Sequence, residues 1–197
     1  MSQETTMQKR TIQSTAKKGM SISDILLVGV LLAAGAVLKF FIGSFFTAGM
    51  KPNFIIAMYC LAIMIIKPRF VETLIIGLLA GVVCQFFPGT PYINLLSEMV
   101  GALAMYLLNL VPLKLEVKKI PFKPIFTTFF ATVCSGFTFL GMLYVLFYSG
   151  VDVKTMPVGV FLGIILGTAA INAIIVEFLY VPIKLALGKK VANDSVS

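Results

Sequence analysis

The sequence contains no histidine and no tryptophan, only three cysteines, and few charges: 12% of its 197 residues are Asp, Glu, Lys or Arg, where a soluble domain carries about a quarter. Without histidine the commonest metal ligand and proton shuttle is gone. Cys60, Cys84 and Cys134 stand singly inside apolar runs, with neither metal nor redox spacing, and read as small apolar packers. No G-x-x-x-x-G-K-[ST] loop is present, so ATP hydrolysis by that route is excluded. No Ser/His or Cys/His constellation exists for a membrane hydrolase. Inverted repeats and broken mid-membrane helices are not evident. The expectation is a protein that is not an enzyme, with no catalytic residue, no metal and no cofactor.

What fills the chain is hydrophobic: 59% of residues, in six apolar runs that approach or exceed the ~20 residues needed to cross about 30 Å of hydrocarbon. The runs are continuous rather than alternating, which points to helices. The spacing predicts helices from about Ser23 or Asp24 (a cap) to Phe46, Pro52 to Ile66, Val71 to Phe87, Tyr92 to Val111, Pro124 to Tyr148 and Met156 to Leu187. The fold class expected is therefore an all-α membrane protein with six transmembrane helices. Residues 1–20 read as a disordered cytoplasmic tail, 21–188 as the transmembrane domain and 189–197 as a second cytoplasmic tail.

The net charge of +8 does not point to nucleic acid, because the basic residues sit between apolar runs and face the lipid bilayer surface. Thirteen of the sixteen Lys and Arg fall in the N-terminal tail, the Lys67-Pro68-Arg69 turn, the loop from Lys114 to Lys123 and the C-terminal end. The positive-inside rule then puts both termini in the cytoplasm and the loops after helices 1, 3 and 5 outside.

The segment FFPGTPYINLLSEMVG, residues 86–101, concentrates the chemistry. Pro88-Gly89-Thr90-Pro91 breaks the chain, and the next helix carries Asn94 and Glu98 on one face. A carboxylate inside a membrane helix needs a partner. Lys39, Lys51, Asn53, Gln85 and Tyr144 fall at similar outer depth, which implies an outward pocket rather than a pore. Two readings stay open for Glu98. It forms a structural ion pair with Lys39 or Lys51, or it meets a ligand's cationic group while a lysine meets an anionic one. Glu177 reads as a structural partner of a base such as Lys184. Gly77, Gly81 and Gln85 form a stripe that admits a neighbouring helix closely. Gly159, Gly163 and Gly167 are expected to pack inside the protein. Gly29, Ala33 and Ala36 form a face that packs internally or presents a smooth surface to another membrane protein.

Six short helices with an outward pocket resemble the substrate-binding S components of bacterial energy-coupling factor (ECF) transporters. The face Gly29/Ala33/Ala36 looks like the helix 1 small-residue pattern by which that family meets its coupling subunit. More narrowly, GMKPNF (Gly49 to Phe54), the Lys67-Pro68-Arg69 turn, GLLAGVV (Gly77 to Val83), FPG (Phe87 to Gly89) and the Asn94…Glu98 pair are similar to the bacterial tryptophan transporter family. The resemblance implies a subunit in the bacterial plasma membrane that captures a small-molecule substrate from outside. It then docks on a transmembrane coupling subunit with two ATPase subunits and topples to present its pocket inward. Tryptophan is the substrate expected. A vitamin (cobalamin-, folate- or nicotinate-like), a solitary secondary transporter and a non-transport membrane scaffold are the alternatives.

Overall fold

The computed structural model describes residues 19–43, 52–112, 116–117, 120–153 and 155–188. They form six helices, α1 (Ile22–Gly43), α2 (Ile55–Ile66), α3 (Phe70–Cys84), α4 (Ile93–Leu110), α5 (Lys123–Tyr148) and α6 (Val158–Ala186). One two-residue strand pair, β1 (Glu116–Val117) with β2 (Ile120–Pro121), lies antiparallel between α4 and α5. This small pairing qualifies the all-α expectation, because a loop of alternating residues outside the apolar runs has free backbone groups to join. Residues 1–18 of the expected 1–20 tail, the expected tail at 189–197, the end of helix 1 beyond Gly43, Lys51 and Lys154 lie outside the described residues.

The helix boundaries follow local chemistry. At the start of α1 it is Ser21, rather than Ser23 or Asp24, that caps. Its Oγ accepts from the Asp24 amide at 3.2 Å and Asp24 Oδ2 accepts from the Ser21 amide at 3.0 Å, a reciprocal capping box. Lys67, at φ 52, closes α2 in the left-handed region. Glu72 then ties two helix starts together, accepting from Met20 N at 3.0 Å and from Arg69 N at 2.7 Å. Helix α3 ends earlier than the apolar run, at Cys84, because Gln85, Phe86 and Phe87 tighten into i→i+3 bonding ahead of the Pro88 break.

Four helices, α1, α4, α5 and α6, are long and apolar enough to cross a membrane. The other two are shorter: at 1.5 Å per residue α2 spans about 18 Å and α3 about 22 Å, less than the ~30 Å of hydrocarbon. Helix α2 explains its own shortness. It packs against all five other helices, and every residue from Ile55 to Ile65 is buried, so it meets protein on every side rather than lipid. A core helix of this kind needs no polar face, which is why IIAMYCLAIMII has none. The space that α2 leaves unfilled beyond its N-terminal end is where the cavity lies.

Helices α3 and α4 approach closely at the predicted Gly77/Gly81 stripe. A Cβ on Gly77 would lie 2.8 Å from Met99 Cα, and one on Gly81 would lie 2.7 Å from Leu95 Cα. The glycines of α6 do the opposite of what their spacing led us to expect. Gly159, Gly163 and Gly167 are exposed, and a Cβ added at any of them would meet nothing within 4 Å, while Phe161, Ile165, Thr168, Ala169 and Asn172 form the inward face. Gly29 and Ala33 of α1 are likewise exposed and Ala36 is half-buried.

Candidate functional site: a polar-floored cavity beneath two loops

A cavity of about 1010 Å³ opens among α1, α2, α4, α5 and α6, at the upper end of the ~300–1,000 Å³ usual for small-molecule sites. Two loops, 88–92 and 151–156, contribute to its wall, and the entry to α2 (Asn53, Ile56) forms its floor. Both loops belong to the face opposite the described ends of the chain, since an odd number of helices separates each from α1's start and from α6's end: three and three for 88–92, five and one for 151–156.

Glu98 is the anchor, 1% exposed. Asn53 Nδ2 donates to its Oε1 at 2.6 Å, and Ser135 Oγ donates to its Oε2 at 3.3 Å. The Tyr59 hydroxyl sits against the Cα side of Gly101, next to Ser135 and Glu98. Only a glycine at 101 leaves room for that ring. Asn53 is held in turn, because Asn172 Nδ2 donates to its carbonyl at 3.1 Å and to Thr132 Oγ1 at 3.4 Å. Four helices thus orient one carboxylate.

Lys39 is the counter-charge, yet it does not close on Glu98 as an ion pair. Its ammonium is buried and donates to Cys84 Sγ at 3.5 Å, and it lies 5.0 Å from the centre of the Phe87 ring. A thiol and a ring face are soft partners for an ammonium with three donors. Cys84 also takes a 3.5 Å contact from Asn53 Nδ2, so besides packing in the buried core as its surroundings implied it is a polar link between two site residues. Cys60 is buried in the core and Cys134 is exposed; both are free thiols, like Cys84. The cavity therefore holds an acid and a base on one wall, each tethered and neither neutralised by direct contact.

Apart from Asn94 and Asp152, the rest of the wall is apolar or hydroxylic. Phe139, Leu143, Phe161 and Ile165 form one side, and Ser97, Thr132, Ser135 and Thr168 supply hydroxyls. Of the residues that the sequence singled out, Lys39, Asn53, Asn94 and Glu98 line this single cavity. Gln85 and Tyr144 do not. Tyr144 donates to the Met156 carbonyl at 3.0 Å and contacts Phe161 edge-on at 6.4 Å, so it braces the 151–156 loop from behind. Gln85 is exposed, donating to Gly81 O at 3.2 Å and accepting from Tyr92 N at 3.1 Å. Lys51 lies outside the described residues. Ser97, Thr132, Ser135 and Asn172 escaped the sequence reading. The signal available was the spacing of Thr128, Thr132 and Ser135 along one face of α5.

Tyr92 stands at φ 66, a left-handed conformation rare for a bulky side chain, and Gln85 is what bonds its amide. Gln85→Ala is therefore expected to loosen the 88–92 segment without touching the cavity's polar floor. Ligand dissociation measured by filter chase should speed by roughly three- to tenfold, the loss of about one hydrogen bond. An unchanged dissociation rate would mean that the loop is held by other contacts.

On the termini face, Lys184 donates to the Tyr180 hydroxyl at 3.0 Å and stacks on its ring at 5.1 Å. It is thus not the partner expected for Glu177, whose carboxylate lies instead at the Ile125 backbone amide, at the start of α5.

Long apolar helices around a cavity with a buried acid, a buried base and aromatic walls define a multi-pass membrane transport protein. The family model described as tryptophan transporter TrpP matches residues 21–188, and the chain belongs to that family. No curated protein sequence and no solved structure matches it.

Proposed function

We propose that this protein is the substrate-capturing subunit of an ECF-type importer and that its cavity takes tryptophan as the zwitterion. The observation that carries the reading is the separation of Glu98 from Lys39. An internal salt bridge would have neutralised both, whereas here Asn53 and Cys84 stand between them. An α-amino acid brings an ammonium for Glu98 and a carboxylate for Lys39, and charge-assisted bonds of this kind contribute about 1.5–3 kcal/mol each. Its indole ring would lie against Phe139, Leu143 and Phe161, where offset or edge-on ring contacts are favourable.

Six crossings with both termini in the cytoplasm would turn the cavity mouth outward, in line with the Lys and Arg distribution. Two short helices are compatible with six crossings, since α2 is enclosed by protein. The exposed Gly29/Ala33 face supports docking on a transmembrane coupling subunit with two ATPase subunits, because a smooth small-residue surface lets a second helix approach closely. Native-membrane extraction followed by mass spectrometry is expected to recover those three partners. Uptake that survives their removal would assign the chain to solitary transport instead.

The substrate assignment has a direct test. The protein contains no tryptophan, so indole fluorescence retained by purified protein after desalting belongs to the ligand. Tryptophan is expected to bind at micromolar concentration or better. Tryptamine, which lacks the carboxylate, and indole-propionate, which lacks the ammonium, should each bind about 10- to 100-fold more weakly. Equal binding of all three would remove the zwitterion reading, and no retained signal with no calorimetric heat would remove tryptophan.

A further inference from the structure

We propose that Ser97 is the indole-specificity residue of this site: its hydroxyl accepts the ring N–H of the substrate and so selects indole over aromatic rings of the same shape that lack that donor. This assignment rests on the reading of the cavity as a tryptophan site.

Ser97 is fully buried, lines the cavity, and its Oγ has no hydrogen-bond partner. Among the described residues it is the one cavity-lining side chain with a buried polar atom in that condition. Of the other hydroxyls that line the cavity, Ser135 donates to Glu98 and Thr132 accepts from Asn172, while the Tyr59 and Thr128 hydroxyls, buried without a partner as well, do not line it. A buried polar group without a partner is uncommon and calls for an explanation, and a ligand donor supplies one.

Its position on α4 fits the role. Ile93, one turn earlier on the same helix face, packs with Leu140, Leu143, Phe161 and Ile165. Glu98, the next residue, is turned about 100° around the helix and faces Asn53. Ser97 thus stands where the apolar end of the cavity meets the charged end. A tryptophan whose ammonium lies on Glu98 carries its ring toward the Ile93 cluster and past Ser97. An indole N–H buried there needs an acceptor; the apolar side offers the hydroxyls of Ser97 and Thr168, and of the two it is Ser97 Oγ that is fully buried without a partner.

The test is competition against radiolabelled tryptophan by benzothienylalanine, in which sulfur replaces the ring N–H, and by tryptophan methylated on the ring nitrogen. The native protein is expected to bind both about tenfold or more weakly than tryptophan, since each leaves Ser97 without its donor. Ser97→Ala should bind tryptophan about tenfold more weakly and benzothienylalanine as before, so that discrimination disappears. Because the hydroxyl has no hydrogen-bond partner within the protein, the variant should melt no lower than native, which separates a ligand contact from a folding defect. Equal binding of the three by native protein overturns the assignment, as does discrimination that persists in Ser97→Ala. So does its loss in Thr168→Val instead, since Thr168 is the other hydroxyl on the apolar side. Native protein that binds no tryptophan overturns the reading of the cavity itself, and this assignment with it.

Discussion

Glu98→Gln is expected to weaken tryptophan binding by about 100-fold while leaving the protein folded. The amide has the shape of the carboxylate, and its surroundings can accept it. Oε1 keeps the 2.6 Å bond from Asn53 Nδ2, and the new NH₂ group takes the place of Oε2 opposite Ser135, whose hydroxyl rotates from donating to accepting. Thermal melting in detergent should therefore stay close to native. What the substitution removes is the negative charge, and in a buried site a charge-assisted bond to an ammonium contributes about 3 kcal/mol, at the upper end of the usual range. Glu98→Ala is the contrasting variant: it strands Asn53 and Ser135, leaves a void, and should lower stability as well. Tryptophan binding to Glu98→Gln at native affinity, measured by fluorescence retention or calorimetry, would return Glu98 to a purely structural role.

The helices were largely legible because each apolar run ends in residues that cannot continue a membrane helix: Lys67-Pro68-Arg69, the Pro88-Gly89-Thr90-Pro91 break, and Pro124 at the start of α5. The acid and base were legible for a related reason, since Glu98 and Lys39 are rare inside such runs. Their relationship was not. That Lys39 rests on Cys84 and Phe87 depends on how α1 meets α3 across some 45 residues of sequence, and no local pattern encodes it. The buried hydroxyls were hidden differently. Serine and threonine in apolar helices commonly bond their own backbone, as Thr138 does to Cys134 O at 2.8 Å, so a lone Ser97 carries no signal until its missing partner is seen. The α6 glycines failed because lipid and protein interior are both apolar. A G-x-x-x-G-x-x-x-G stripe therefore fixes a face without saying whether that face turns inward.

This difference between glycines gives the largest structural effect expected. Gly81→Ala places a methyl 2.7 Å from Leu95 Cα and 2.8 Å from Asn94 O. Both are backbone atoms of α4, which cannot swing aside as a flexible side chain can. The helices must separate, and overpacking of this kind costs about 1–3 kcal/mol, roughly 2–12 °C of melting temperature for a chain of this size. The displacement acts on the site as well, because α4 carries Asn94, Ser97 and Glu98 on the turns that Gly81 and Gly77 hold against α3. Binding should fall at least tenfold even at temperatures where the variant is folded, as a shift of under 1 Å is enough to spoil placed hydrogen bonds. Gly163→Ala and Gly167→Ala are the controls. Their methyls would point into open space, so both should melt and bind as native, and a helix gains slightly from alanine in place of glycine. Equal damage from Gly81→Ala and from the two α6 variants would mean that α6 does meet protein along its glycine face. Damage confined to Gly81→Ala would tie the binding site to the closeness of α3 and α4, and leave the α6 stripe to lipid.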